Sequence, residues 1–217
     1  MIKPKNNLCC PTKGFTLSEI LIVIFLMLVL VGIFSQSFRV SSYLKKSRDI
    51  KRISDLRALE IAISIYSKST SSVSLGPTNQ GVDESNSRIF ISVPFDLEDI
   101  RSNSLVWRSK TYYFSQVSST EYFKINGQGW IPINFSSLVF APINSLPVDP
   151  INSYNKKFFY SYVFKRSSST FEINANLEYE DFKQNGKEDK VSNDEGDNNA
   201  IYEIGTDLNL MPNNLYN

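Results

Sequence analysis

The chain of 217 residues contains no histidine, and this absence excludes several kinds of catalytic site. Histidine is the side chain that enzymes most often use as a general base and that metal ions most often bind. Without it a Ser–His–Asp triad cannot form. The sequence also has no glycine-rich phosphate-binding loop and no set of side chains suited to nucleophilic catalysis. We therefore expect a protein that is not an enzyme.

Cysteine is nearly absent too, since the chain has two cysteines and both lie near its start, at Cys9 and Cys10. A lipid-modified cysteine would follow an apolar segment, whereas these two precede one, so we do not expect a lipoprotein. If the first fourteen residues are removed, the rest of the chain has no disulfide, no thiol nucleophile and no cysteine ligand for zinc. Its core or its neighbours must then hold the fold together.

Helix-breaking residues are missing from a long stretch of the N-terminal half. No proline occurs between residues 12 and 76, and the only glycines before residue 76 are Gly14 and Gly32. This stretch predicts one helix over about residues 15–68, roughly 80 Å long.

The first part of this helix is strongly apolar. Every residue from Ile20 to Phe34 is apolar or glycine, and counting from Phe15 gives twenty residues, which suits a membrane span over about residues 15–35. A secretory signal peptide is the alternative, but no small-x-small cleavage site follows Phe34. Glu19 lies at the edge of the run, where it is either solvated at the level of the lipid headgroups or needs a cation from elsewhere.

The second part of the helix is amphipathic. Apolar residues at near-helical spacing predict a stripe that packs on a globular domain, namely Ile50, Ile53, Leu56, Leu59, Ile63 and Tyr66. The basic stretch, residues 45–57, has six basic and two acidic residues and so a local charge of +4. It predicts a solvated helix face, and contact with DNA or anionic lipid is the less favoured alternative.

After the helix, the chain changes to short runs typical of β-strands. Residues 69–87 are rich in Ser, Gly, Asn and Thr and predict a loop. Residues 157–166 and 170–179 predict a hairpin, and the second of these runs alternates apolar and polar residues, as a half-buried strand does. Further strands are predicted within 104–115, at 121–125 and near 202–204.

These elements predict an α+β fold with three parts. Residues 1–14 precede the helix, residues 15–68 form a long N-terminal helix with a membrane half and an amphipathic half, and residues 69–217 form a globular head. The rear stripe of the helix is expected to pack on a small antiparallel β-sheet in that head.

A recognisable motif surrounds the start of the apolar run. The residues Lys13-Gly14-Phe15-Thr16-Leu17-Ser18-Glu19, followed by the apolar helix, resemble the processing site of type IV prepilins and type II secretion pseudopilins. The familiar form is a basic residue, then Gly, Phe, Thr, Leu, any residue and Glu. Every position fits, and Ser18 occupies a place often held by Ile or Val. The motif and its helix cover about a quarter of the chain.

The resemblance implies a processing and assembly pathway. Residues 1–14 would be a leader, which a membrane prepilin peptidase removes by cutting between Gly14 and Phe15 before it methylates the new amine of Phe15. Glu19 would pair with the Phe15 amine of a neighbouring subunit. The chain would be a structural subunit of a type IV pilus or a type II secretion pseudopilus, with identical or related subunits, the peptidase, the membrane and the assembly machinery as partners.

The same resemblance implies a location. The subunit would first lie in the inner or cell membrane, crossing it once with its N terminus in the cytoplasm, and would then enter a pilus or pseudopilus outside the membrane. The positively charged stretch at residues 45–57 on its own would favour the opposite orientation, so the motif decides this expectation.

Parts of the C-terminal half extend the resemblance more weakly. Residues 146–150 (LPVDP) look like the Pro-x-Asp-Pro segment of major pseudopilins, and residues 129–133 (GWIPI) like a loop near their sheet. Major pseudopilins also bind calcium in a C-terminal loop. Oxygen-bearing side chains around Gly196 suit calcium, although a solvated acidic loop is the simpler interpretation, and these are Asn193, Asp194, Glu195, Asp197 and Asn199.

Two other functions stay open at this point. One is a minor, competence-type pilin that binds DNA through the basic stretch or through aromatic loops. The other is a monomeric, signal-anchored extracytoplasmic binding domain that shares the motif but does not polymerise.

Overall fold

A computed structural model describes residues 14–216, without the side chains of residues 33–39. Residues 1–13, and with them Lys13 of the motif, lie outside the described part. The chain divides after Tyr43 into two compact units, an N-terminal unit and a C-terminal unit that begins at Leu44. One helix, α1 (Leu17–Ser69), contributes residues to both units.

The prediction of a membrane-spanning half of α1 is wrong for the described residues. No helix among them is both long and apolar enough to cross a membrane. The described apolar side chains run from Ile20 to Gly32, which corresponds to roughly 20 Å of helix against a hydrocarbon core of roughly 30 Å.

The C-terminal unit contains a six-stranded sheet. Its strands are β1 (Arg88–Ile91), β2 (Ser104–Trp107), β3 (Lys110–Ser115), β4 (Tyr160–Lys165), β5 (Thr170–Ala175) and β6 (Tyr202–Gly205). They lie in the order β2-β3-β1-β4-β5-β6. Two short 3-10 turns, Phe135–Ser137 and Glu180–Phe182, interrupt the loops.

The predicted antiparallel sheet is wrong, because the sheet is mixed. Strand β1 pairs with β3 in parallel, and the other neighbouring strands are antiparallel. The cause is a tight turn at Arg108 and Ser109, which returns the chain from β2 to β3 so that β3 runs in the direction of β1. Parallel strands need a connection of about a dozen residues or more. Here residues 92–109, which include β2, connect β1 to β3.

The predicted hairpin is confirmed, since β4 and β5 pair from Tyr160 opposite Ala175 to Lys165 opposite Thr170. The strand near 202–204 is also confirmed as β6. By contrast, residues 121–125 form turns rather than a strand.

Both faces of the sheet are covered. On one face, Tyr162, Phe164 and Ile173 pack with Leu59 and Ile63 of α1. On the other face, the C-terminal segment, defined as residues 206–216, buries Leu210, Met211 and Leu215 against Val163 and Phe159. Strand β5 is therefore buried on both sides, and the prediction of a half-buried strand is wrong.

The buried stripe of α1 begins with charged residues. Leu56, Leu59 and Ile63 are buried as predicted, but Ile50 is 54% exposed. The buried positions one and two helical turns before Leu56 are taken by Arg52 and Asp49. Both of these charged side chains have no exposed surface. Their burial is tolerated because they pair with each other, while Arg52 also pairs with acids of the head and Asp49 accepts from backbone N–H groups there.

Arg52 is the centre of this network. Its guanidinium donates to Asp149 at 2.5 and 3.0 Å, to Asp49 at 2.6 Å and to Glu178 at 2.6 Å. Asp49 in turn accepts from the backbone N–H of Glu178 and of Tyr179. Burial alone would raise the pKa of Glu178, but hydrogen bonds from Arg48 and Arg52 outweigh it and lower that pKa. The network thus ties α1 to two separate loops.

The substitution Asp149→Asn tests this network. It removes one carboxylate from a buried arginine and leaves the positive charge less compensated, so the free energy of unfolding should fall by about 3–5 kcal/mol. Chemical unfolding of the full-length chain measures it. The matched control is Asp99→Asn, which breaks an exposed pair with Arg101 and should change stability little. Equal effects of the two variants would contradict the importance of the network.

Candidate functional site

The predicted cleavage position lies in exposed, non-helical chain. Gly14 and Phe15 precede the first helical residue, Leu17, and Phe15 is 80% exposed. No other atom lies within 4 Å of the place where a Cβ on Gly14 would sit. Among residues 14–216, nothing covers the bond between Gly14 and Phe15, and no packing contact requires a glycine at position 14.

Glu19 is hydrogen-bonded within its own chain. Its Oε2 accepts from the backbone N–H of Thr16 at 2.8 Å and from the Thr16 hydroxyl at 2.9 Å. The Thr16 hydroxyl lies 3.3 Å from the backbone N of Glu19, so the two residues form a capping box at the start of α1. Both donors on Thr16 are neutral, and no cation lies beside Glu19 among the described residues, so its pairing with a cation from another subunit stays a prediction.

An apolar surface surrounds the first part of α1. Every large hydrophobic side chain from Ile20 to Val31 is at least 43% exposed, so the surface has no polar side. A helix that is apolar all round is normally buried in a larger structure. In a single copy this surface stays uncovered by any described residue of the N-terminal unit.

The acidic loop, residues 189–199, is engaged with the head. The carboxylate of Asp194 accepts from the backbone N–H of Gly196 at 3.0 Å and of Glu203 at 2.8 Å. Asp197 pairs with Arg108 at 3.3 Å, and Asn193 donates to the carbonyl of Asp189 at 3.0 Å. These bonds hold the loop against β6 and the β2–β3 turn.

The calcium ligands predicted in this loop are three acids and two asparagines. Within residues 14–216, no group of three or more acidic or sulfur ligands is arranged to hold a metal ion. Asp194 and Asp197 direct their oxygens to protein partners, while no hydrogen bond is found among the described residues for the side chains of Glu195 and Asn199. Calcium binding by this loop stays a prediction.

A pair of buried acids was not foreseen from the sequence. Glu172 of β5 and Glu203 of β6 lie under the C-terminal segment with exposed fractions of 0% and 2%. Glu172 accepts from the backbone N–H of Leu210 at 2.7 Å and of Met211 at 2.9 Å, and Glu203 accepts from Asn198 at 2.9 Å. The alternation in β5 placed Glu172 on a side that the sequence predicted to face solvent, so no local signal marked it.

The pKa values of both carboxyl groups are raised, which favours a proton held between them. Burial, followed by the neighbouring charge of Glu172, raises the pKa of Glu203 to about 9, and burial also raises the pKa of Glu172. The protonated Glu203 can donate to Glu172, while Glu172 stays an acceptor for the C-terminal segment. The pair therefore joins β5, β6 and the chain end in its singly protonated form.

The basic stretch is largely neutralised by acids. Lys46 pairs with Glu188 at 2.6 Å and Arg48 with Glu178 at 2.6 Å, while Lys51 pairs with Asp55 at 2.9 Å. The interpretation as a fully solvated face is therefore wrong, because two of these pairs join α1 to the head. Fewer positive charges on this face are available to an anionic partner than the local charge of +4 suggests.

Comparison of the chain with protein-family models, with curated proteins and with solved structures found no match in any of the three. The resemblance to prepilins rests on the motif at residues 13–19 and on the apolar helix that follows it.

The substitution Glu203→Gln tests the shared proton. In the wild-type chain an unfolded Glu203 ionises near its ordinary pKa of 4.5, whereas the folded one ionises at about 9. The unfolded state therefore holds fewer protons between these values, and the free energy of unfolding falls as pH rises through this range. A glutamine cannot ionise but can still donate to Glu172 and accept from Asn198.

We expect the variant to be more stable than wild type at pH 8.5, by roughly 1 kcal/mol or more, which is roughly 2–4 °C in Tm. At pH 4.5 the difference should be small. Thermal unfolding at the two pH values measures this, with Glu180→Gln on the surface as the matched control. A variant that is less stable at both pH values would contradict the shared proton.

Proposed function

We propose that this chain is a structural subunit of a filament of the type IV pilus or type II secretion pseudopilus kind. It would be processed between Gly14 and Phe15 and would polymerise through the first part of α1. The observation that carries the proposal is the apolar surface from Ile20 to Val31, which is exposed on every side of the helix immediately after a prepilin-like motif.

Burial of this apolar surface supplies the attraction between subunits. Moving one exposed Leu, Ile or Phe side chain out of water stabilises an assembly by roughly 1.5–3 kcal/mol. Several such side chains on one helix outweigh the few kcal/mol available from any single polar contact. Copies of α1 packed side by side would cover the surface for most of its length.

Apolar packing alone does not fix how far one helix slides along another, and Glu19 provides that constraint in the proposed assembly. Hydrolysis of the bond after Gly14 leaves a carboxylate on Gly14 and a positively charged amine on Phe15. A correctly placed neighbour brings this amine to Glu19, and a pair of opposite charges away from water strongly prefers to stay together. Glu19 would then keep its bonds to Thr16 and gain a cation.

The processing step also suits the local chain. Gly14 and Phe15 precede the first helical residue, and Gly14 has no side chain to clash in a narrow protease site. The prepilin peptidase and the filament assembly machinery are the partners this proposal requires. Location in a membrane before assembly, methylation of Phe15 and calcium binding stay predictions from the sequence.

A DNA-binding minor pilin is the second candidate, and the ion pairs of the basic stretch weigh against it. Lys46, Arg48 and Lys51 would have to leave Glu188, Glu178 and Asp55 before they could bind phosphates. DNA binding that weakens steeply with salt would favour this candidate.

Processing is tested by co-expressing the full-length chain with a prepilin peptidase and measuring the intact mass. We expect an N terminus at Phe15, with one methyl group where the enzyme also methylates. The substitution Gly14→Val should block cleavage, because a branched side chain must then enter the protease site. A wild-type chain that keeps residues 1–14 in the presence of an active peptidase would contradict the proposal.

Assembly is tested with two variants that separate charge from helix capping. Glu19→Gln keeps an oxygen that can accept from Thr16 but loses the negative charge, so we expect normal cleavage and a severe loss of filaments in negative-stain images. Thr16→Ala removes the hydroxyl of the capping box and keeps the charge, so filaments should persist. Normal filaments from Glu19→Gln would show that this charge has no role in assembly.

A further inference from the structure

A small pocket lies beside the tip of the β2–β3 hairpin, on the face of the sheet that the C-terminal segment covers. Its volume is 290 Å³, close to the lower limit of roughly 300 Å³ for pockets that bind small molecules. Aromatic and basic side chains dominate its lining, which includes Trp107, Arg108, Lys110, Tyr112 and Lys165. Neither the processing motif nor the apolar surface of α1 contributes to it.

The pocket has an excess of positive charge. Arg108, Lys110 and Lys165 line it, and Asp83 is the one acid among its lining residues. Hydrogen bonds from Ser167 and from the backbone of Arg166 outweigh partial burial and lower the pKa of Asp83 to about 2. The net charge of the lining at neutral pH is therefore +2.

The three cationic side chains differ in the hydrogen bonds and ion pairs that they form within the protein. The guanidinium of Arg108 lies 3.9 Å from the centre of the Trp107 ring and 3.3 Å from Asp197. Lys110 donates to the backbone carbonyl of Val82. Lys165 is half-buried, and among the described residues no hydrogen bond or ion pair to its ammonium is found. A partly buried ammonium without a partner favours an anion from outside the chain.

The hairpin tip is built at a cost in stability. Arg108 and Ser109 form the two-residue turn and have φ values of 47° and 62°, in the left-handed region that favours Asn and Gly. Such a conformation costs roughly 1–2 kcal/mol for a residue with a side chain. Asn-Gly is the dipeptide that favours this turn, so Arg108 holds its position here in a conformation that its side chain does not favour.

We propose that this pocket binds a carboxylated sugar. The carboxylate would lie between Lys165 and Arg108, whose N–H groups suit a planar anion. The edge of Trp107, whose face Arg108 covers, offers an apolar surface for the C–H groups of a sugar ring. The Asp83 carboxylate can accept hydrogen bonds from the hydroxyl groups of the sugar, and the Asn209 amide can accept or donate them. The volume suits one sugar residue at the end of a longer chain.

A nucleic acid fits these observations less well. Single strands bind along grooves in which successive bases stack on aromatic rings and successive phosphates meet cations. Here the aromatic and basic groups are confined to one small concavity, and the nearby face of Trp107 is already covered by Arg108. The proposal is independent of filament assembly, because it uses residues of the head alone.

Titration calorimetry of the full-length chain in a non-ionic detergent tests the proposal. The probes are D-glucuronate, D-galacturonate and N-acetylneuraminate, with D-glucose as the neutral match for the first. We expect saturable binding of at least one acidic sugar and none of D-glucose. Lys165→Gln should weaken that binding about tenfold, as loss of one charge-assisted hydrogen bond does. The matched control is Lys156→Gln, an exposed lysine outside the pocket, which should bind as wild type does.

A second variant separates binding from folding. Arg108→Asn combined with Ser109→Gly supplies the dipeptide that the turn prefers, so Tm should rise by a few degrees while affinity for the sugar falls about tenfold. A purely structural Arg108 would give the first change without the second. The proposal is overturned if none of the three acidic sugars binds, if inorganic phosphate binds as tightly as the sugar, or if a single-stranded oligonucleotide occupies the pocket instead.

Discussion

The buried guanidinium of Arg52 is the interaction on which the head depends. It lies on the face of α1 that would otherwise be a continuous apolar stripe, and it draws three carboxylates from two loops and from α1 itself toward one point. Without these partners the charged Arg52 side chain would favour contact with water. The first turns of the buried stripe of α1 would then separate from the head. Because Asp149 follows Pro147 and precedes Pro150, its loop reaches Arg52 with little freedom to move away.

The two units differ in how far their apolar surfaces are covered. In the C-terminal unit both faces of the sheet are covered, and the charged side chains of α1 are matched by acids of the head. In the N-terminal unit nothing among the described residues covers the apolar surface that begins at Ile20. The head also exposes single large hydrophobic side chains, such as Val139 and Phe140, but the run from Ile20 to Val31 is exposed on every side of the helix.

The sequence predicted the helix and the hairpin because both depend on local patterns. Absence of proline sets the extent of α1, and the turn at residues 166–169 joins two runs whose alternation pairs them in register. The parallel pairing of β1 with β3 and the covering of the second sheet face depend on contacts far apart in the chain. Glu172 shows most clearly what local sequence patterns cannot predict. A polar residue in an alternating strand predicts exposure unless the segment that covers it is known.

Local sequence patterns also predicted only some of the residues singled out in the structure. Gly14, Phe15 and Glu19 belong to one short motif and could be named at once, whereas Asp149 and Arg52 were visible only as a proline-rich loop and part of a basic stretch. Periodicity alone would have placed residues 49 and 52 on the buried face, seven and four positions before Leu56. Their charge argued against burial, and only the matching acids from distant loops reverse that argument.

The acidic loop has a further consequence for how copies of this chain can meet. Strand β6 is the last strand of the sheet, and edge strands offer unpaired backbone groups to strands from other molecules. Here the carboxylate of Asp194 already occupies the outward N–H of Glu203. A foreign strand would have to displace that carboxylate before it could extend the sheet, so heads held at high local concentration are protected from sheet-to-sheet aggregation along this edge.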